Sequence, residues 1–331
     1  MKNAIKKILA FSLVITMLLS VLGGVNLGCT VSAAQDNSLR WGDFTYEILS
    51  DDTCIITGYS GTDKELVLPE EISEKPVTAI GTAAFSSCYK LVSITLPDTV
   101  TQIGDKAFYS CYNLATISIP NGVTKIESYT FYNCMDLNEI VIPNSVTEIG
   151  VWAFYGCTGI TECTVPDSVT YIGERAFGSC YNLTKVKLSN SLTAISPYMF
   201  DGCSSLSNIT IPDSVTSIGE YAFNTCRALT SIVIPGSVKC IDKCAFFCCS
   251  KLQSVTISEG VVSLGERAFC SCKELTHIAI PATVTRIEQN AFLSCTNLKS
   301  VEFPSLTKMN TAPFTGCSDL TRIILSGSTI C

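Results

Sequence analysis

Apolar residues recur along this chain at a fixed interval of 23 positions. Phenylalanine shows the register most clearly, with the last copy one position early: Phe85, Phe108, Phe131, Phe154, Phe177, Phe200, Phe223, Phe246, Phe269, Phe292 and Phe314. Self-similarity at such a period is typical of a solenoid, in which every repeat forms one coil and stacks on its neighbours. The pattern therefore predicts one elongated array.

The pattern inside one repeat predicts the local elements. Residues 203–226 read CSSLSNITIPDSVTSIGEYAFNTC, in which Ile209 and Ile211 alternate as in a strand with one buried face. Pro212 ends the strand because it cannot donate a ladder hydrogen bond. We interpret Ala222 and Phe223 as a short helical turn. The expected fold is a curved, right-handed coil with one parallel β-sheet and with short extended segments and helical turns on the other face. Twelve strand segments are expected.

The segment that precedes the array has a different pattern. In residues 35–65, Phe44, Tyr46 and Ile48 alternate, an Asp51-Asp52 turn follows, and a second extended run begins near Ile55. This predicts a hairpin that caps the first coil, with the repeats occupying residues 66–331. The last strand pattern ends just before Cys331, which favours either a fragment or an end that meets a partner.

The N-terminal residues predict export. Residues 1–34 combine a basic start (Lys2, Lys6, Lys7), an apolar run at 8–25 and a Ser32-Ala33-Ala34 cleavage site, which is the pattern of a signal peptide cleaved after Ala34. A lipoprotein signal ending at Cys29 and an uncleaved anchor helix are alternatives. The expected location is secreted or cell surface, with membrane contact only through such an anchor.

Eleven of the nineteen cysteines share the repeat register. They form one column: Cys88, Cys111, Cys134, Cys157, Cys180, Cys203, Cys226, Cys249, Cys272, Cys295 and Cys317. Neighbours in a column point the same way, whereas a disulfide requires converging Cβ atoms about 3.8 Å apart. We therefore predict a ladder of reduced, inward thiols that act as small apolar groups and donate weakly to loop carbonyls.

The other cysteines leave alternatives open. Cys163 takes a core position, while Cys240, Cys244, Cys248 and Cys270 concentrate in adjacent coils. Free thiols, a local disulfide such as Cys248–Cys270 and a thiolate metal site are all conceivable. The spacing is not that of a zinc finger or ribbon, so neither a metal nor another cofactor is predicted.

Charge and motif content argue against two functional classes. The formal net charge is −7, and removal of the predicted signal leaves 19 basic (22 minus 3 lysines) against 29 acidic residues, or −10. Such an acidic chain, without a run of basic residues, is expected to bind nucleic acid poorly. His277 is the only histidine, and no phosphate-binding loop, dinucleotide fingerprint or nucleophile elbow occurs. No enzymatic activity is predicted.

Two sets of exposed columns are candidate binding surfaces. Before the Ala-Phe pair stand Tyr129, Trp152, Arg175, Tyr198 and Tyr221, and after the phenylalanine stand Tyr109, Tyr132 and Tyr155. Aromatic residues with arginine are typical of interface anchors, although packing between coils is the alternative. We predict a ligand patch centred on Trp152, formed by Tyr109, Tyr129, Tyr132, Tyr155 and Arg175. The outward strand positions form a second, hydroxyl-rich face that suits a protein or a glycan.

The repeat resembles a known family. The pattern C-x-x-L-x-x-I-x-I-P-x-x-V-x-x-I-G-x-x-A-F-x-x-C, from about Leu66 onward, is similar to the BspA-type leucine-rich repeats of bacterial surface proteins. Departures are Ser189 and Ser258 for the proline, Cys163 for the isoleucine, and Glu127, Ser196, Asp242 and Glu288 for the glycine. The resemblance implies a secreted solenoid that adheres to host or matrix proteins or glycoproteins. The alternative is a structural spacer or targeting module of a larger surface protein.

Overall fold

The structure, a computed structural model, describes residues 39–303, 308–309 and 312–325. The predicted signal peptide, Cys29 and Cys331 lie outside the described residues. In chain order the first strands are β1 (Leu39–Trp41), β2 (Phe44–Ile48), β3 (Cys54–Tyr59), β4 (Glu65–Val67), β5 (Glu71–Ile72), β6 (Lys75–Ile80), β7 (Ser93–Thr95), β8 (Gln102–Ile103), β9 (Thr116–Ser118), β10 (Lys125–Ile126), β11 (Glu148–Ile149), β12 (Glu162–Thr164) and β13 (Tyr171–Ile172). The remainder are β14 (Lys185–Lys187), β15 (Ala194–Ile195), β16 (Asn208–Ile209), β17 (Ser217–Ile218), β18 (Ser231–Ile234), β19 (Cys240–Ile241), β20 (Ser254–Ile257), β21 (Ser263–Leu264), β22 (His277–Ala279), β23 (Arg286–Ile287), β24 (Ser300–Phe303), β25 (Lys308–Met309) and β26 (Arg322–Leu325).

The strands stack into two parallel ladders, where the sequence pattern predicted one sheet. The first ladder runs through the strand that precedes the proline position of each coil, and its eleven strands plus a bridge at Glu139 account for the twelve predicted segments. The second ladder follows the proline, and Ile218 of β17 pairs there with Ile241 of β19. The sequence predicted short extended segments on this face but not their pairing into a second ladder, because the strands are mostly two residues long. The array makes about eleven turns.

The predicted helical turns are wrong, since the described residues contain no helix. The segment around Ala222 and Phe223 consists of tight turns in which backbone N–H groups alternate between two kinds of acceptor. Ala222 donates to Gly219 three residues back, whereas Phe223 donates to Ala245 of the next coil. Tyr221 and Thr225 have φ values of 53° and 56°. A left-handed residue twice per turn segment, together with N–H groups used between coils, prevents an α-helix.

The core is a column of stacked phenylalanine rings. From Phe85 to Phe314, consecutive ring centroids lie 5.0–5.8 Å apart with interplanar angles of 1–17°. The rings from Phe85 to Phe292 are fully buried. Large aromatic side chains dominate core energetics, so this column is the main apolar contact between coils.

A small antiparallel sheet covers the first coil. β1 and β2 pair antiparallel, as do β2 and β3, and β3 pairs parallel with β6 of the array. Tyr59 extends the ring column, with its centroid 5.6 Å from Phe85 and 5.2 Å from Phe44. The N-terminal end of the core is thereby closed by aromatic residues. Among the described residues, we find no helix with the length and apolar character needed to cross a bilayer.

Candidate functional site

The cysteine column joins consecutive coils through backbone carbonyls. The thiol of Cys203 donates to the Phe177 carbonyl of the preceding coil over 3.1 Å, and the same bond occurs for every member from Cys111 to Cys317 at 3.0–3.4 Å. Burial raises the pKa of Cys203 well above its usual range and that of Cys180 to about 12. These thiols are therefore protonated donors at neutral pH.

The cysteines outside the ladder that the structure describes are free thiols as well. All 17 described cysteines are unbridged, and Cys163 is buried in the core. Cys248 and Cys270 lie in adjacent coils, where the Cys248 N–H donates to the Cys270 carbonyl over 2.8 Å. In the part of the chain that the structure describes, no group of three or more His, Cys, Asp or Glu side chains is arranged to hold a metal ion.

The aromatic surface consists of Tyr109, Tyr129, Tyr132, Trp152, Tyr155 and Arg175, all half-buried. Tyr132 stacks between two rings, with its centroid 4.8 Å from Tyr109 and 5.2 Å from Tyr155. Trp152 tilts against Tyr155 at 4.5 Å. The structure thus brings together the six side chains that the sequence proposed as a ligand patch.

Arg175 and Tyr129 cover the two sides of Trp152. The guanidinium carbon lies 4.7 Å from the Trp152 centroid, and the Tyr129 ring is parallel to the indole at 6.1 Å from the preceding coil. Arg175 also lies 3.9 Å from the Tyr198 centroid. Cation–π contacts and ring stacking therefore occupy the aromatic faces within the protein. What remains for a partner is the ring edges and the tyrosine hydroxyls.

The backbone beneath one aromatic column is left-handed in every coil. Tyr129, Trp152 and Arg175 have φ values of 57°, 60° and 54°, and all eleven members of the column fall between 53° and 60°. Such a conformation favours Gly or Asn and costs about 1–2 kcal/mol for other residues. Bulky side chains at these positions are stabilised by the stacking just described. The sequence could not show this, because glycine is absent from the column.

Three tyrosines of the turn segments, Tyr132, Tyr198 and Tyr221, remain neutral donors. Burial and the neighbouring tyrosines raise the pKa of Tyr132. Burial likewise raises the pKa of Tyr198, and a hydrogen bond with Cys244 followed by burial raises that of Tyr221 to about 12. Their hydroxyl groups can therefore donate hydrogen bonds throughout the physiological pH range.

A second candidate region lies on the first ladder. Two open grooves of about 670 and 420 Å³ adjoin there and share Glu162, Cys163, Thr164 and Lys187 in their linings. Glu139, Glu162 and Lys185 stand at outward strand positions, and the sequence assigned no role to them. One signal in the sequence could have revealed this region. Between residues 139 and 187 the outward position changes from hydroxyl-bearing to charged residues, whereas most other coils carry a hydroxyl group there.

The single histidine forms one polar contact. His277 Nδ1 lies 2.8 Å from Ser300 Oγ on the neighbouring strand, and both residues belong to the first ladder. No carboxylate contacts the ring among the described residues. The pair therefore lacks the third group that orients a catalytic histidine.

Parallel ladders with a 23-residue register define a leucine-rich-repeat β-solenoid, a fold that is generally not enzymatic. The model of the BspA type leucine rich repeat region matches this chain in six copies over residues 66–180, 124–250 and 217–330. The chain therefore belongs to the BspA-type leucine-rich repeat family.

Several solved structures are similar to the chain. A leucine-rich repeat protein from Bacteroides ovatus is 27% identical, with 86% of this chain and 94% of that chain covered and a TM-score of 0.51. One from Eubacterium ventriosum has 23% identity, coverage of 86% and 83%, and a TM-score of 0.52. The pneumococcal vaccine antigen PcpA has 17% identity, 88% coverage of both chains and a TM-score of 0.56. The similarity to the last two structures shows only that the fold is shared. No curated protein matches the sequence.

Proposed function

We propose that this chain is a non-catalytic extracellular recognition or adhesion protein, and that it binds host or matrix proteins or glycoproteins through the aromatic surface. The observation that carries the proposal is the contiguity of six half-buried aromatic and arginine side chains on adjacent coils. Tyr, Trp and Arg are the residue types that dominate binding energy at protein interfaces.

Preorganisation supports this assignment. Tyr132 is held between two parallel rings, and Trp152 is held between Tyr129 and Arg175. Side chains that are already ordered lose little rotamer entropy when a partner binds, and that loss otherwise costs about 0.5–1.5 kcal/mol for each immobilised side chain. The ring edges and hydroxyls of the aromatic surface therefore form a rigid recognition element.

Placement outside the cytoplasm is part of the same proposal. The signal-like residues 1–34, with cleavage after Ala34, would export the chain to the cell surface or the medium. The chain belongs to the BspA-type leucine-rich repeat family, and this membership supports a location on the bacterial surface. Mass determination of the N-terminus of exported protein would test the cleavage site.

The experiment compares two kinds of variant at the aromatic surface. Trp152→Ala with Tyr132→Ala removes two anchors, and loss of two interface anchors of about 2 kcal/mol each weakens binding by roughly 700-fold. A triple Tyr→Phe variant at 109, 132 and 155 keeps the stacked rings and removes only the hydroxyls. Binding is measured against immobilised extracellular matrix proteins and a glycan array.

The matched control is Tyr171→Ala with Tyr181→Ala, which removes two exposed tyrosines outside the aromatic surface. Circular dichroism and urea unfolding verify that each variant is folded. The proposal fails if the folded double variant binds every ligand of the native protein with native affinity. It also fails if the native protein binds nothing on either panel.

One observation favours a structural spacer as a second candidate. The faces of the aromatic rings are occupied by rings and cations of adjacent coils, which stiffens the array regardless of any ligand. If the chain is a spacer, the tyrosine-to-phenylalanine variant should have the same binding profile as the native protein. The alanine variant should have a lower urea midpoint of unfolding.

A further inference from the structure

The first ladder loses its regular pairing at the coil that contains Glu139. Glu139 is joined to Thr116 only by an isolated bridge, and residues 140–142 form no strand. β9 and β12 are therefore edges of separate three-stranded sheets that face each other across this coil. The ladder is also divided between β16 and β18 and between β20 and β22, but among the described coils only that of Glu139 lacks its strand.

The larger groove opens at this interruption. It has a volume of about 670 Å³ and is lined on one side by residues 138–142 and on the other by residues of β12 and the loop after it, including Asp167. The adjoining 420 Å³ groove continues over β14 and β16. Together they form a furrow that crosses four coils. We call this furrow the charged groove.

The charges of this groove are separated by sign along the solenoid. Glu139 and Glu162 occupy the outward position of two consecutive coils, and Lys185 and Lys187 occupy the next coil. Like charges on adjacent strands destabilise pairing, which gives a physical reason for the interruption beside Glu139. At the same outward position, the coils before and after this region carry Ser93, Thr116, Asn208 and Ser231.

None of these four charged side chains forms a salt bridge within 4.0 Å among the described residues, although Lys187 has an electrostatic interaction with Asp167 in the lining of the groove. Glu162 and Lys185 are neighbours in the strand register, but they form no ion pair within 4.0 Å, and neither do Glu139 and Lys187. All four are exposed. An acidic half and a basic half thus lie side by side without a salt bridge between them.

We propose that the charged groove binds an extended peptide segment of a partner protein in which a basic and an acidic side chain stand two or three residues apart. Coils stacked at about 4.8 Å place Glu139 and Lys185 about 10 Å apart, and extended chains repeat side chains on one face every ~6.8 Å. The ligand's cation lies over Glu139 and Glu162, and its carboxylate lies over the two lysines.

Two features favour a peptide over polymers of one charge sign. A nucleic acid or an acidic glycan is attracted by the lysines but repelled by Glu139, Glu162 and Asp167 in the adjacent coils, and a polycation meets the converse. In addition, residues 140–142 lie outside any strand and carry main-chain N–H and C=O groups of the kind that extended peptides recognise. The groove lies on the first ladder, whereas the aromatic surface lies in the turn segments of each coil.

The test uses a fluorescent, terminally blocked peptide of sequence Gly-Ser-Lys-Thr-Glu-Ser-Gly, measured by anisotropy against the full chain at low and physiological salt. We expect Lys185→Glu with Lys187→Glu to weaken its binding about tenfold and to strengthen binding of the analogue in which Glu is replaced by Lys. Lys251→Glu with Lys273→Glu makes the same change in net charge at exposed sites outside the groove and serves as the matched control. Affinity should fall as salt rises, since the charges are exposed.

Three results would overturn the proposal. The first is failure of the native chain to bind the mixed-charge peptide at millimolar concentration. The second is equal binding of single-sign peptides or of a sulfated oligosaccharide. The third is equal weakening by the control pair. Trp152→Ala should leave peptide binding unchanged, so loss of the aromatic-surface proposal and loss of this one are separately visible.

Discussion

The buried thiols make the stability of the array steeply dependent on pH. Burial raises the pKa of the thiols in the middle of the ladder, as for Cys203 and Cys226, above the ordinary value near 9. A group whose pKa is raised on folding contributes stability that is fully present below its unfolded pKa and is lost as pH rises towards its folded pKa. The array should therefore unfold in alkali, in a window that begins near pH 9.

The magnitude follows from the number of thiols. Nine ladder cysteines, from Cys111 to Cys295, are fully buried. At about one pH unit above the unfolded pKa, each costs about 1.4 kcal/mol, or about 12 kcal/mol if all coils unfold together. Cys88 has the opposite effect on stability. A hydrogen bond with Cys111 lowers its pKa, so its ionisation offsets about one of the nine contributions. The sum is comparable with the 5–15 kcal/mol stability of ordinary proteins, so we expect unfolding between pH 9 and pH 10.

The assay is urea unfolding followed by circular dichroism from pH 7 to pH 10.5, with reductant present and oxygen excluded. The matched variant replaces Cys203, Cys226 and Cys249 by serine, which does not titrate. This variant should be less stable at pH 7, but its loss of stability with pH should be one third smaller, by about 4 kcal/mol per pH unit. An unfolding midpoint that is constant from pH 8 to pH 10, or equal pH slopes for both proteins, would refute the reasoning.

Two further predictions concern the thiols and the left-handed turns. Among the described cysteines, alkylation of the native chain near pH 8 should modify the half-buried Cys88, Cys240 and Cys248 first, whereas early labelling of buried ladder thiols, counted by intact mass, would contradict the structure. Thr225 and Gly202 occupy equivalent positions, and both have positive φ. Thr225→Gly should therefore be neutral or stabilise the fold by up to about 1 kcal/mol, whereas Gly202→Thr should destabilise it by about 1–2 kcal/mol. Equal urea midpoints for the two variants would refute this reasoning.

The repeat register and the core were readable from the sequence because they depend on periodicity alone. Phe223 and Cys226 recur at fixed positions, and their columns are buried in the structure. The family resemblance drawn from the same pattern is confirmed by the match to the BspA-type model. Strand-ending by Pro212 was also readable, since the missing N–H is a covalent property of the residue.

The turn geometry was not readable, because the residues at the left-handed positions are unusual for that conformation. Tyr221 and Trp152 occur where Gly or Asn would announce a positive φ. Their backbone is fixed by hydrogen bonds to the neighbouring coils, which no local pattern encodes. The Ala-Phe pair consequently suggested a helix that the coil stacking forbids.

The candidate surfaces were predicted in part. The column that contains Trp152 was visible, but the occupation of its faces by Tyr129 and Arg175 depends on the distance between coils. The charges at Glu139 and Lys185 were visible too. That they border an opening in the first ladder follows only from strand pairing, which depends on the packing of three consecutive coils.

The thiol-to-carbonyl bond also bears on how such a chain can change in length. At nine of its ten occurrences the bond joins residues 26 apart in sequence, as between Cys203 and Phe177, which is one repeat plus three residues. Duplication or excision of 23 residues at any point in the interior therefore recreates the same junction between coils. Recombination between repeats can therefore change the number of coils. The length of the array changes in steps of one coil, without a new interface having to evolve.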